Sequence, residues 1–472
     1  MALSSPSRTH KDPRIPPTGF AVLAAVGPSF IWCAEYIGTG EVILATRTGA
    51  ILGNGILWAV VLGIFLKYWI GMAGARYTVC TGEGMIDMFD RIPGPRHWVV
   101  WLVLVAQFFS AMISIGSVAS AAGVFLNALV PVSPWFGGWA VTIVSFVIVW
   151  SGTFDVLKTV MSMFVLIIVA GVLYVAVTVF PGLTELVRGA LSGVPQVPEW
   201  AVRDAGADPN PWREILPLLG WAAGGFASQV WYSYWVLGAG YGAADGRSYG
   251  EPADLQFLGT MGRAAAEKIL GWCRIVYADA TIAVIIGIVA TGGFLLAGAG
   301  VLHPLRSAPQ GEEVATTVAQ IFSTRWGALG GFLFMVSAVA ALIGTQVGQL
   351  AGWPRLLADA FRICVPGFKE RFGWKTQFRG FLILFFCTNM VIVFTLGLRP
   401  VVIIQLSAIL DGLLLTPLQA IWVALGLYLV MPKLFSPEAG EVLKPHWIFA
   451  VGLALAFTVF GYFCVFQIPF TL

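Results

Sequence analysis

The residues with the widest chemical reach in this chain stand inside stretches that are otherwise apolar. One apolar run ends at Ile37, is interrupted by Gly38, Thr39, Gly40 and Glu41, and resumes with Val42, Ile43 and Leu44. A second, from Pro217 to Trp221, is interrupted by Ala222, Ala223, Gly224 and Gly225 and resumes at Phe226. If both runs are membrane helices, the backbone unwinds at these points. Its N–H and C=O groups then lack partners, which lipid does not tolerate but a solute-lined cavity does. Half-helices starting at Glu41 and near Phe226 present free amides and the positive ends of their dipoles, a setting for a small anion. Thr39, Ser228, Gln229, Tyr232 and Ser233 add donors, while Trp221, Phe226, Trp231 and Trp235 keep the space small. A divalent cation held by Glu41 and the break carbonyls is the competing chemistry, with one carboxylate as thin provision for it. The plain alternative is that the glycines serve only close helix packing.

Other polar residues at membrane depth are functional suspects, since each charge there costs about 2.5–3.5 kcal/mol or more. Glu35 precedes the first break and Glu41 follows it. Glu41 suits a coupling-ion ligand, for sodium or a proton, or a gate; it equally suits a carboxylate that satisfies free amides at a helix start. Glu35 divides between a coupling role and a structural pair. Asp411 divides between gating or coupling and a buried hydrogen bond. Thr345, Gln346 and Gln349 offer polar lining for a cation or proton route, Lys67 reads as an ion-pair partner or as part of an anion path, and Asp279 as interfacial.

Around these residues lies a chain of 472 residues, 58% hydrophobic and 11% charged, with a mean hydropathy of +0.85. A soluble domain carries roughly 25% charged residues, so this composition describes a polytopic membrane protein. A net charge of +3 is too mild to imply nucleic acid, and the six scattered cysteines suggest neither a disulfide framework nor a zinc site. About 11 spans are expected, near 19–53, 55–79, 97–130, 135–151, 154–180, 213–238, 272–299, 327–361, 376–397, 400–431 and 446–470. Residues 1–18 read as a cytoplasmic tail and not a signal peptide. The polar stretch 181–212 falls outside, and 239–271 falls inside with a short amphipathic helix over Leu255 to Leu270. With the N-terminus in the cytoplasm and the C-terminus outside, 19 of the 27 basic residues lie on the inner side, seven outside (including Arg399), and Lys67 within a span. The two interrupted spans stand one five-helix block apart, the sequence mark of inverted repeats with a midplane binding site. The repeats cover 19–180 and 213–431, leaving 432–472 for the last helix and C-terminus.

With these residues in view, the chain resembles the Nramp family of secondary transporters. GPSFIWCAEYIGTGEVILATRTGA is similar to that family's first helix, and LWAVVLGIFLKYWIGMAGARYTVCTG (Leu57 to Gly82) to its second. LGWAAGGFASQVWYSYW takes the sixth-helix position, and VAALIGTQVGQLAG and LSAILDGLLLTPLQA resemble helices 8 and 10. The resemblance implies an all-α LeuT-type fold with a 5+5 inverted repeat and helices 1 and 6 unwound at the midplane. The family's metal site rests on Asp-Pro-Gly-Asn in helix 1 and Met-Pro-His in helix 6. Here Gly38, Thr39, Gly40 and Glu41 stand at the first, and Gly224, Gly225 and Phe226 at the second. The carboxylate, thioether and imidazole are gone, and helix 3 carries no charge from Trp98 to Val130 where the family carries acidic residues linked to proton release.

The expected function is therefore a monomeric plasma-membrane carrier that works by alternating access. Its favoured substrate is a small anion such as bicarbonate, which the resemblance also suggests for chains lacking the metal motif. The alternative is magnesium or manganese held by Glu41 and carbonyls. The expected binding residues are Gly38, Thr39, Gly40, Glu41, Ala223, Gly224, Gly225, Phe226, Ser228 and Gln229. Coupling or gating falls to Glu35, Glu41, Asp411, Thr345 and Gln346, with sodium or a proton as coupling ion. No cofactor or resident metal is expected. Neither a Gly-x-Ser-x-Gly nor a His-Glu-x-x-His motif occurs, so an intramembrane enzyme is not expected.

Overall fold

The computed structural model describes residues 12–191, 193–308, 313–396 and 400–470. Arg8, Lys11 and Arg399, counted among the basic residues that assign orientation, lie outside the described residues. Among the described residues every regular element is helical, and eight helices are long and apolar enough to cross a membrane.

The first interrupted run forms α1 (Pro28–Tyr36), a π-helical turn (Gly40–Ala45) and α2 (Thr46–Leu52). There follow α3 (Leu57–Thr81), α4 (Trp98–Leu129), α5 (Pro134–Val149) and α6 (Phe154–Thr178). The second interrupted run forms α7 (Trp212–Trp221) and α8 (Phe226–Ala239). Beyond it come α9 (Arg263–Ala297), α10 (Glu313–Cys364, kinked at Gly327) and α11 (Trp374–Leu396). The run that closes the second repeat comprises α12 (Pro400–Ile409), a π turn (Leu410–Leu414) and α13 (Thr416–Leu425); α14 (Trp447–Tyr462) follows.

Burial sorts these helices. α1, α8, α9 and the apolar part of α10 are largely buried, whereas α6, α11 and α14 turn much of their surface outward. The outward residues are large and apolar, among them Leu166, Phe394 and Phe457. So much exposed hydrocarbon is a liability in water and the proper surface in lipid. The interrupted runs are thus held inside a shell of lipid-facing helices, with their unwound backbone sheltered from the bilayer.

One expectation is corrected. The segment Leu255 to Leu270 is not a single amphipathic helix. Leu255–Thr260 is a short helix capped by Asp254 Oδ1, which accepts from Phe257 N at 2.9 Å. Met261 turns the chain out of the helical region, and α9 then starts at Arg263, nine residues before its apolar stretch. A helix needs no apolar surface where it projects beyond the membrane, so hydropathy alone places that start too late.

Candidate functional site

α1 opens at Pro28, where a missing N–H costs nothing. Its free amides are taken by Asp279 of α9, which accepts from Gly27 N (3.0 Å), Ser29 N (2.9 Å), the Ser29 hydroxyl (2.8 Å) and the Tyr232 hydroxyl (2.8 Å). Asp279 is fully buried and not interfacial, because four donors replace its water. α1 ends where Ile37 leaves helical geometry (φ −77°, ψ 89°). A Cβ on Gly38 would stand 2.0 Å from Thr345 Oγ1 of α10, so only glycine lets this backbone approach that helix. Likewise Gly40 lies against the Trp221 indole. The free amide of Gly38 donates to Glu41 Oε2 at 2.8 Å, and Thr291 Oγ1 stands 3.5 Å from Glu41 Oε1. Glu41 is fully buried and folded onto its own break, the amide-satisfying arrangement.

The second break is sharper. Ala222 leaves the helix at ψ 119°, and Ala223 and Gly224 both take positive φ (59° and 74°). Positive φ is free for glycine and strained for alanine, the kind of strain that persists at functional sites. Carbonyls released here are met by side chains, one from α8 itself and the others from distant segments. Ala223 O accepts from Gln229 Nε2 at 2.8 Å, and Phe226 O from Gln419 Nε2 at 2.9 Å. The carbonyls of Gly220 and Gly224 both accept from Lys67 Nζ, the latter at 2.6 Å. Lys67 therefore makes no direct carboxylate ion pair among the described residues, contrary to its reading above, and is held by backbone oxygens. Gly225 packs on the Asp411 carboxylate so closely that a Cβ would stand 1.8 Å from Oδ2. Asp411, like Glu41, sits in a π turn, a local widening that recurs at functional sites.

The two runs are also joined below the breaks. Ser228 Oγ donates to Glu35 Oε2 at 2.5 Å and accepts from Trp32 Nε1 at 3.1 Å, while Trp32 stacks on Tyr232 with centroids 4.3 Å apart. Ion pairs lie on either side of the breaks. Arg47 of α2 meets Glu214 of α7 at 2.9 Å, both nearly buried. At the other end Arg362 bridges Asp87 (2.6 Å) and Asp359 (2.9 Å), and Arg91 clasps Glu83 (2.6 Å).

Of the expected site residues, the structure brings together Gly38 with Thr345, Gly40 with Trp221, Gly225 with Asp411, and Ser228 with Glu35. The Phe226 ring instead belongs to an aromatic cluster with Phe89 and Trp422. Gln229 spends its amide on Ala223. Several buried polar atoms have no protein partner: Thr39 Oγ1, the Trp221 indole N–H, Thr345 Oγ1 and both amide atoms of Gln346; the Gln107 amide faces the Asp411 carboxylate. Unpaired atoms of this kind occur elsewhere too, among them the indole N–H groups of Trp58, Trp231 and Trp353; those beside the breaks are the ones that a solute or water bound there would satisfy. The indole N–H and the glutamine NH2 groups donate, and the hydroxyls can donate or accept. Among the described residues no three His, Cys, Asp or Glu side chains gather to hold a metal ion. Sequence reasoning missed Gln107 and the Trp221 N–H. An amide in the middle of an uncharged, apolar helix was the available signal for the first; the second had none, because tryptophan reads as bulk.

Comparison with known proteins fits this architecture. A family model described as natural resistance-associated macrophage protein-like (Nramp) matches residues 29–203. A divalent metal cation transporter, MntH of Yersinia enterocolitica, is 32% identical over 81 residues, which is 17% of this chain and 20% of the relative. The MntH of Pectobacterium carotovorum is 31% identical over the same shares. The chain thus spans about a fifth of the length of these curated relatives. Among solved structures, a mutant manganese transporter of Eremococcus coleocola shares 14% identity and a TM-score of 0.68, over 95% of this chain and 88% of that one. MhsT bound to L-phenylalanine gives 0.54 at 14% identity, over 94% and 99%. These likenesses show the fold, the all-helical LeuT type.

Proposed function

We propose, for a chain that is Nramp-like in sequence over residues 29–203 and LeuT-type in fold over nearly its whole length, a secondary transporter that carries one small anion by alternating access. Bicarbonate is the favoured substrate. The observation that carries this reading is the set of unpaired polar atoms beside the breaks, rich in donors and lacking a metal-ligand cluster. An indole N–H beside Gly40 attracts an oxyanion and repels a cation. The only carboxylate of the first break is already turned onto the Gly38 amide. Glu35, Glu41 and Asp411 are buried carboxylates, the last two acting through space on Lys67, the one buried lysine among the described residues. That imbalance favours a sodium ion or proton travelling with the anion.

The charge bias supports an N-terminus in the cytoplasm and a C-terminus outside; to this the reading adds the plasma membrane, a monomer, and repeats over 19–180 and 213–431. The deciding experiment uses liposomes holding a pH dye, a bicarbonate gradient and no divalent metal. A saturable pH change, absent from empty vesicles and lost in Gly224→Trp, is expected.

A second reading is favoured by the printed names of the relatives, which are divalent metal cation transporters. Glu41 and break carbonyls would then hold magnesium or manganese. Vesicles that accumulate manganese but show no bicarbonate-driven pH change would establish it and end the anion reading.

A further inference from the structure

Lys67 is fully buried on α3, yet its direct partners are two backbone carbonyls of the α7–α8 break. Unwound carbonyls with a carboxylate nearby are the ordinary ligands of a monovalent cation in a broken membrane helix. The surroundings complete such a site. Asp411 packs on Gly225, the residue after one of the two carbonyls, and the Phe460 ring flanks the ammonium at 5.6 Å from its centroid. Glu41 is the second carboxylate that acts on the ammonium through space. An ammonium is about the size of a partly dehydrated alkali cation and presents three donors where that ion would present its charge.

We propose that the break of α7 and α8 is a monovalent-cation site, and that Lys67 fills it permanently as a cation tethered to α3. The inference rests on reading the breaks as a transport site, and it goes further in naming what occupies one of them. It explains why a lysine placed deep in the membrane donates to backbone carbonyls and makes no direct bond to the carboxylates nearby. Its consequence is that no free cation is needed at this carbonyl pair, so that any co-transported cation must bind elsewhere, at the buried carboxylates of Glu35 or Asp411.

The test is to vacate the site and offer it a free ion. Purified wild type and Lys67→Ala are melted in sodium, potassium, ammonium and choline chlorides at equal ionic strength. The wild type is expected to melt alike in potassium, ammonium and choline, and any shift in sodium from a coupling ion bound elsewhere is common to both proteins and is subtracted. Lys67→Ala is expected to melt lower in choline and to regain about 2–5 °C, saturably, in sodium or ammonium, as mass action requires of an ion bound only by the folded state. A folded Lys67→Ala that melts alike in all four salts would overturn the proposal, as would a wild type stabilised by sodium to the same extent. Should Lys67→Ala be lost in choline, its recovery when purified in sodium or ammonium is the supporting result. Lys67→Ser, which offers a hydroxyl to the vacated position, repeats the test, and failure of both variants in every salt counts against the proposal. The melting readout stands apart from the bicarbonate flux of the wild type, so either idea can fail alone.

Discussion

The two helix breaks meet the same backbone problem with opposite charges. At the first, an amide is left over and a carboxylate three residues on, Glu41, accepts from it. At the second, carbonyls are left over and an ammonium 153 and 157 residues away, on α3, donates to them. The first break is satisfied from within its own segment, so its partner travels with it when helices rearrange. At the second, Gln229 of α8 meets Ala223 O, but the Gly220 and Gly224 carbonyls are satisfied by another helix, so any motion of α7 or α8 against α3 must break those bonds or carry α3 along. Local satisfaction suits a moving element, and remote satisfaction suits a fixed point about which others move.

The largest effect that tests this contrast is Lys67→Met. It keeps the bulk and removes the charge, leaving two carbonyls and nearby carboxylates without compensation. The expected cost is about 3–5 kcal/mol, as for removal of one partner of a buried charge network, read as a lowered melting temperature. Glu41→Gln keeps an oxygen acceptor for the Gly38 amide and should cost about 1 kcal/mol or less. Equal losses in the two variants would mean that the breaks are alike after all. Between these extremes stands Gly38→Ala, whose Cβ would collide with Thr345. Overpacking of this kind costs about 1–3 kcal/mol, and the double variant with Thr345→Ala should recover part of it. No recovery would place the strain in the backbone and not in the contact with α10.

Which parts of this were legible in the sequence follows from the physics of each. The breaks were legible because Gly38 to Glu41 and Ala222 to Gly225 interrupt apolar runs, and a polar or flexible residue in lipid needs a reason. The helical bodies were legible because lipid demands long apolar segments; α9 was mis-started because Arg263 to Gly271 lies outside that demand. The partners of the breaks were not legible. Lys67 bonds to backbone carbonyls, which every residue carries, so no side-chain type announces the contact. Asp279 is matched to amides about 250 residues away, and its place looked interfacial because hydropathy records depth and not burial among neighbours.

The smallest effect is also the one that separates a binding site from a packing defect. Thr345 Oγ1 is buried against the first break and has no protein partner. Thr345→Val removes that hydroxyl and nearly preserves shape. Since no protein hydrogen bond is lost, stability should change by less than about 0.5 kcal/mol. If the hydroxyl donates to the transported anion, half-saturation of bicarbonate flux should rise about five- to tenfold, the equivalent of one hydrogen bond of about 1–1.4 kcal/mol. A variant with unchanged flux and raised stability would show instead that Thr345 is only an unpaired group pressed against Gly38. The first break would then be a packing feature, and the solute would have to be sought at the second.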